Sequence, residues 1–349
     1  MTTTLPALSR PTLDILSIEQ IKESLTEPIV FADPVLARTD LPIRKKFYPL
    51  GFPLEISTNS EEVIAAASES WGSSSKLFDT PPIQIEVGVT EGTSGECPPA
   101  PTCRIRRHLC SNIANAENFV VSDLSQGFSY IWITRDVLSY PSYLRYFFLE
   151  ASALCQIANL YTTPVHAACV ALEGCGILLC GDSGAGKSTL SYACARAGWT
   201  YITDDGSYLV NGREDLLAVG NCKLFRFRPS AEAIFPELHG PRTIQRAQTG
   251  KPSIEVPANS LRGLATADTT NVRHVVFLNR RAGAQQELAG VPNIVARNFI
   301  LQRLCTIQEK QDVQEGMIDQ LLECDAFELF YTDLDWAVER LGKLVREGQ

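Results

Sequence analysis

Nine consecutive residues, Gly181-Asp182-Ser183-Gly184-Ala185-Gly186-Lys187-Ser188-Thr189, constrain this chain more than any other stretch. In the pattern G-x-x-x-x-G-K-[ST], glycines fold the backbone tightly enough that successive N–H groups and the start of the next helix point at phosphate oxygens. Lys187 adds a mobile positive charge and Ser188 a hydroxyl suited to Mg²⁺. A nucleoside triphosphate site is implied, with ATP and Mg²⁺ as its occupants. The flanks fit that setting: Ile177-Leu178-Leu179-Cys180 is a short apolar run of the kind a buried strand gives, and residues 189–197 read as a helix that Gly198 ends.

The next strand-like run, residues 199–203, delivers Asp204 and Asp205 where a strand of such a sheet would end, and ligands of open α/β sheets sit at those ends. Turn chemistry before Gly206 is a poor account of two like charges side by side, so the pair is read as functional beside a triphosphate and a metal. Phosphoryl transfer asks mainly for positioning and charge neutralisation. Lys187 and the loop amides would hold the β- and γ-phosphates, Ser188 and one aspartate the Mg²⁺, and the other aspartate would take a hydroxyl proton. Further on, residues 222–229 read as a strand carrying Arg226 and Arg228 on one face, either to clamp phosphate or as a solvated basic face.

Three segments together resemble the catalytic domain of HPr kinase/phosphorylase and its relatives: Val165-His166-Ala167-Ala168-Cys169-Val170-Ala171-Leu172, residues 174–189, and Tyr201-Ile202-Thr203-Asp204-Asp205. In that family a histidine opens a strand about fifteen residues before a G-D-S-G-x-G-K-S loop, and an Asp-Asp pair follows the loop's helix. The resemblance implies an α/β fold: a phosphate-binding-loop kinase domain of the HPr kinase and phosphoenolpyruvate carboxykinase type, here preceded by a smaller α+β domain. It gives His166 a functional place and implies Asp204 as base and Asp205 as metal ligand, with the swap open. The chain departs from HPr kinase proper in lacking Glu-x-Arg-Gly-x-Gly; only Arg226 or Arg228 can be matched there, and Arg297-Asn298 echoes a later Gly-Arg-Asn motif. The departure points away from HPr as substrate and from the phosphorylase half-reaction.

A net charge of −9 argues against sequence-independent nucleic-acid binding, which needs a basic face. No apolar run reaches membrane-spanning length, and residues 1–13 lack a basic region followed by an apolar core, so a cytoplasmic protein is expected. Eleven cysteines, most of them in apolar runs, fit reduced thiols. Cys97, Cys103, His108 and Cys110 could supply four zinc ligands, although their spacing fits no common finger or ribbon.

Residues 1–46 read as a peripheral helix over 13–25 followed by a proline-punctuated linker. Residues 47–162 read as an α+β domain of unassigned role: a strand over 48–57, a helix opened by a capping box at Asn59-Ser60-Glu61-Glu62, and strands over 83–89, 118–121 and 128–134. A long helix over 141–160 connects it to the ATP-binding domain, residues 163–349, in which the irregular stretch 235–242 reads as a substrate loop. The expected activity is ATP-dependent transfer to a hydroxyl, with serine of a protein or peptide as acceptor. The alternatives are a small-molecule kinase, for instance one acting on free serine, and a non-catalytic ATP-binding regulator. A homo-oligomer is left open.

Overall fold

Strict alternation through Ile83-Gln84-Ile85-Glu86-Val87 requires one buried and one solvated face, and that strand sits near the middle of the first of two large sheets. The computed structural model describes residues 40–92, 95–239, 244–246, 252–261, 263–280, 285–304 and 306–347. Seven strands run in the order β1-β2-β3-β7-β6-β5-β4: β1 Ile43–Phe47, β2 Leu54–Thr58, β3 Ile83–Thr90, β4 Thr102–Arg106, β5 Leu109–Ile113, β6 Phe119–Asp123 and β7 Phe128–Thr134. Pairs β2–β3 and β3–β7 are parallel and the rest antiparallel. Ile85, Val87, Val120, Ile131 and Ile133 point to one side and pack on helix α1, Glu61–Trp71, and on α2. The latter runs from Pro141–Leu144 through a π-helical Arg145–Glu150 to Ala151–Leu160. Each such side chain withdrawn from water contributes about 1.5–3 kcal/mol.

The second sheet starts at β8, Thr162–Val165, and is built on β9, Ala167–Leu172, and β10, Cys175–Cys180. Glu173 and Gly174 between them both take positive φ, 52° and 81°, the backbone of a two-residue hairpin turn. After β10 come α3 Lys187–Arg196, β11 Thr200–Thr203, β12 Ser207–Val210, β13 Leu217–Val219, β14 Leu224–Phe227, β15 Ile244–Arg246, β16 Pro252–Pro257, β17 Ala265–Thr266 and β18 Thr269–Asn279. The chain ends with β19 Glu287–Gly290, α4 Asn293–Leu301, α5 Gln311–Leu321, β20 Asp325–Phe330 and α6 Leu334–Glu347. Strand order is β17-β11-β9-β10-β18-β13-β12-β8, with β20 also on β18 and β19 on β20; β10, β18 and β20 are parallel.

Helices cover both faces. Leu190 and Cys194 of α3 and Ala337, Leu341 and Leu344 of α6 pack on Val170, Ile177, Leu179 and Val276. On the other side Ala296 and Ile300 of α4 and Ile318 and Leu321 of α5 pack on Cys169, Leu178, Cys180 and Val275. This double covering is why β10 is apolar throughout. A small sheet, β14-β16-β15, joins α3 through a cluster of Tyr192, Tyr201, Phe225, Phe227 and Phe235. Among the described residues no helix is long and apolar enough to cross a membrane.

Several expectations need correction. The strand predicted over 48–57 is interrupted by a tight turn at Pro49–Gly51, where Leu50 takes a φ of 51°, and strand structure begins only at Leu54. Strand β1 starts at Ile43, inside the predicted linker, and the predicted helix over 13–25 lies outside the described residues. Ser60 is the N-cap of α1, but its hydroxyl donates to Glu62 Oε2 at 2.6 Å rather than closing a capping box. The hairpin β4–β5 lies outside the expected strands: Thr102-Cys103-Arg104-Ile105-Arg106 alternates polar and apolar residues, yet every residue of β4 is exposed and no buried face goes with the pattern.

Gln314 of α5 is fully buried, and its Nε2 donates to the carbonyl of Ala158 at 2.8 Å, one of the last-turn carbonyls of α2 that has no partner within the helix. Gln314→Leu strands that carbonyl but also removes Gln314 Oε1, a buried acceptor without a partner among the described residues, so a net destabilisation of about 0.5–1.5 kcal/mol, the size of one hydrogen bond, is expected. Urea denaturation followed by circular dichroism checks this, and an unchanged midpoint would show that the contact contributes nothing.

Candidate active site

The glycine loop lies between the C-terminal end of β10 and the first turn of α3. Gly184 and Gly186 have φ of 97° and 103°, left-handed values that favour glycine, and a Cβ on Gly186 would stand 2.5 Å from Tyr331 Oη. The Tyr331 hydroxyl donates to Ala185 O at 3.3 Å, bracing the loop from the end of β20. Lys187, the first residue of α3, is only 5% exposed and turns back under the loop. Its Nζ donates to Gly181 O at 2.9 Å, lies 3.0 Å from His166 Nε2 and stands 3.6 Å from Asp205 Oδ1.

His166 follows β8, and its Nδ1 lies 3.6 Å from Asp205 Oδ1. Burial lowers its pKa, assisted by Lys187 and Arg303 and opposed by Asp205. A neutral ring can accept from Lys187 through Nε2 while its Nδ1 proton faces Asp205; the tautomer is assigned from these partners.

Asp204 and Asp205 leave the end of β11 into different surroundings. Asp204 is 6% exposed and its Oδ2 accepts the backbone N–H of Arg226 at 2.7 Å. Burial pushes its pKa up to about 6, held back by that hydrogen bond and the Arg226 charge and helped by Asp205. Asp205 is 61% exposed. Its carboxylate and the Ser188 hydroxyl in the first turn of α3 are hard-oxygen donors of the kind Mg²⁺ takes.

The two arginines of the β14 region part company. Arg228 lies beyond the end of β14, and its Nη2 donates to Ser183 Oγ at the loop tip at 2.9 Å. Arg226 pairs across the strands with Glu255 of β16, donating from Nε to Glu255 Oε1 at 2.9 Å and from Nη2 to Glu150 Oε2 at 3.2 Å. Its guanidinium lies over the ring of Tyr146 at 5.0 Å. Arg145 joins this network, 3.5 Å from Glu150, 3.7 Å from Glu255 and 3.1 Å from Glu69. A glutamate on the facing strand therefore meets Arg226, although the local sequence has none.

Arg303, just after α4, was missed by sequence reasoning. It pairs with Asp182 in the loop and stacks 3.7 Å from the centre of the Phe299 ring. Phe299 four residues earlier is the only local hint. Arg297 instead pairs with Glu315 at 2.9 Å and Asp319 at 2.6 Å on α5, a helix-to-helix contact away from the loop, and the neighbouring Asn298 is exposed. In the predicted substrate loop, Phe235 and Leu238 are core residues beside Tyr192, and residues 240–243 lie outside the described set. Of the four candidate zinc ligands, Cys103 and Cys110 have sulfurs 3.9 Å apart, His108 Nδ1 lies 3.9 Å from Glu309, and Cys97 is exposed.

No family model matches the chain, and no curated protein matches its sequence. Among solved structures, the HPr(Ser) kinase/phosphatase from Coxiella burnetii is similar, with a TM-score of 0.32 and 14% identity, covering 53% of this chain and 93% of that one. A likeness this loose leaves the functional reading to rest on the residues of this chain.

The raised pKa of Asp204 makes stability depend on pH. Between about pH 4 and pH 6 the folded protein holds a proton that the unfolded chain has lost, so this contribution is full below the unfolded value and is lost as pH rises through about 6. Asp204→Asn is expected to flatten that slope and to be more stable at pH 7 by up to about 3 kcal/mol. Denaturant midpoints of both proteins from pH 4 to 7 check it, and parallel curves would show that Asp204 titrates as an ordinary carboxylate.

Proposed function

We propose that this protein is an ATP-dependent phosphotransferase that passes the γ-phosphoryl group to a hydroxyl. The resemblance read in the sequence implies a serine hydroxyl. The observation that carries the reading is the convergence of Lys187 Nζ, His166 and Asp205 within 3.6 Å of one another at the base of a glycine loop, with the buried Asp204 beside them.

In this reading the loop amides and Lys187 hold the β- and γ-phosphates, exchanging the carbonyl and carboxylate that Lys187 now faces for phosphate oxygens. Ser188 and Asp205 hold Mg²⁺, which when bound neutralises charge on those oxygens. Arg228 and Arg303 flank the loop tip through Ser183 and Asp182 and can close on the phosphate chain. Asp204, with a pKa of about 6, is ionised at neutral pH yet basic enough to accept the acceptor's hydroxyl proton. Arg226, fixed by Glu150 and Glu255, holds Asp204 in place through its backbone N–H and is a positioning residue.

Lys187→Ala is expected to weaken ATP binding at least tenfold, about 1.4 kcal/mol, and to abolish transfer with the fold retained. Calorimetric titration with ATP tests this, and unchanged affinity with a normal melting curve rejects the site.

The aspartates should fail differently. Asp204→Asn is expected to lose transfer by roughly 10² or more with ATP and Mg²⁺ still bound, whereas Asp205→Asn should raise the Mg²⁺ requirement. In the wild type, transfer should fall as pH drops below about 6, where Asp204 takes up its proton. Equal loss of metal binding in both variants would make the pair one metal site. Release of label from γ-labelled ATP separates an enzyme from a non-catalytic ATP binder.

A further inference from the structure

A cavity of about 250 Å³ opens behind the aspartate pair, between the two large sheets. One wall comes from the ATP-binding region: Asp204, Asp205, Tyr208, Asn221, Lys223 and Arg226. The other comes from the first sheet and its helices, with the Pro49–Gly51 turn, Ser70 and Trp71 at the end of α1, Ser74 just beyond it, and Glu150 and Leu154 of α2. Asp205 belongs both to this lining and to the group facing Lys187, so the cavity meets the glycine loop at one carboxylate.

Size and charge limit what can enter. The chamber at the aspartates, about 250 Å³, corresponds to roughly eight waters, and it shares Ser70, Glu150, Asn221, Lys223 and Leu224 with an open groove of about 910 Å³ whose lining includes neither aspartate. Glu150 is answered by Arg226 and by the Ser70 hydroxyl at 2.7 Å, and Asp268 by Lys223 at 3.6 Å. Asp205 is answered by Lys187 at 3.6 Å, so Asp204 remains as the carboxylate facing the space, and the serine hydroxyls with Asn221 supply neutral hydrogen-bonding groups on the walls. A further carboxylate or phosphate brought against Asp204 would be repelled, and an amino group or a neutral polyol would not.

Resting on the phosphotransferase reading above, we propose that the cavity is the acceptor site, that the acceptor is a small hydroxylated molecule, neutral or amino-bearing, and that the first sheet's unit is the part of the chain that selects it. The acceptor hydroxyl oxygen attacks the γ-phosphorus of ATP, its proton passes to Asp204, and the bond to the β-γ bridging oxygen breaks to leave ADP. The N-terminal wall then acts on acceptor choice without touching the nucleotide.

The test uses the full chain with γ-labelled ATP and Mg²⁺. Its probes are a protein-free cell extract, split by ion exchange into an anionic and a neutral-plus-cationic fraction, and the protein fraction of the same lysate. Label should enter compounds of the neutral-plus-cationic fraction. Ser74→Trp, which fills the cavity from the wall opposite Asp204, should cut that transfer at least tenfold while ATP affinity and the melting curve stay as in the wild type. Ser75→Trp, at an exposed position on the same wall, repeats the test should Ser74→Trp not fold. Label confined to protein or to anionic compounds, no label anywhere with ATP bound, or transfer unaffected by both tryptophans would each overturn the proposal. Failure of the wild type to bind ATP would instead reject the nucleotide reading, and the acceptor site with it.

Discussion

An ion network between the two sheets, centred on the nearly buried Arg145, Glu150 and Glu255, fixes the geometry on which the site depends. Arg226 and Arg145 are held among Glu150, Glu255 and Glu69, with Tyr146 against both guanidinium groups. Buried pairs of this kind are weak sources of net stability, because desolvation cancels much of the attraction. Removing one partner is costly all the same, since it strands a charge. Burial already raises the pKa of Glu255, with Arg145 acting against it. The network therefore acts chiefly as a register. It sets β14 against α2, and the backbone N–H of Arg226 then points at Asp204.

That arrangement lets two adjacent aspartates have different chemistry. Successive residues at a strand end face opposite sides, so Asp204 turns into protein and Asp205 toward solvent and Lys187. Desolvation raises the proton affinity of the first, and one backbone hydrogen bond keeps the shift moderate. A residue with the same side chain one position on keeps its exposure and its cationic neighbour. Sequence alone names the pair; only the packing of β14 distinguishes its members.

Local rules explain how much of the site was legible in the sequence. Strand β10, the glycine loop, α3 and β11 are consecutive, and each is set by its own periodicity, its glycines or its apolar run, so their order and the placing of Lys187 and the aspartates depend only on neighbours in the chain. Arg226 and Arg228 could be seen to share a face but not to have different partners, because Glu150 and Glu255 lie 76 and 29 residues from Arg226. Arg303 reaches Asp182 over 121 residues. No local pattern carries a contact of that kind. The exposed strand β4 was illegible for a different reason: Thr102-Cys103-Arg104-Ile105-Arg106 does alternate, but the run is short, follows the proline-rich residues 98–101 and buries neither face.

The π-helical turn in α2 ties these levels together. A regular helix spaces its side chains at 3.6 residues per turn, whereas one wider turn shifts the phase of every later side chain. In this chain the wider turn spans Arg145–Glu150, and both of its end residues reach the network that holds Arg226. Phe148 and Leu149 within the same turn remain in the core of the first sheet. The irregularity thus lets one short segment serve the apolar layer of its own sheet and the ionic layer against the other. A straightened helix would keep the first contact and lose part of the second, which makes this turn the place where the packing of the N-terminal sheet is coupled to the position of Asp204.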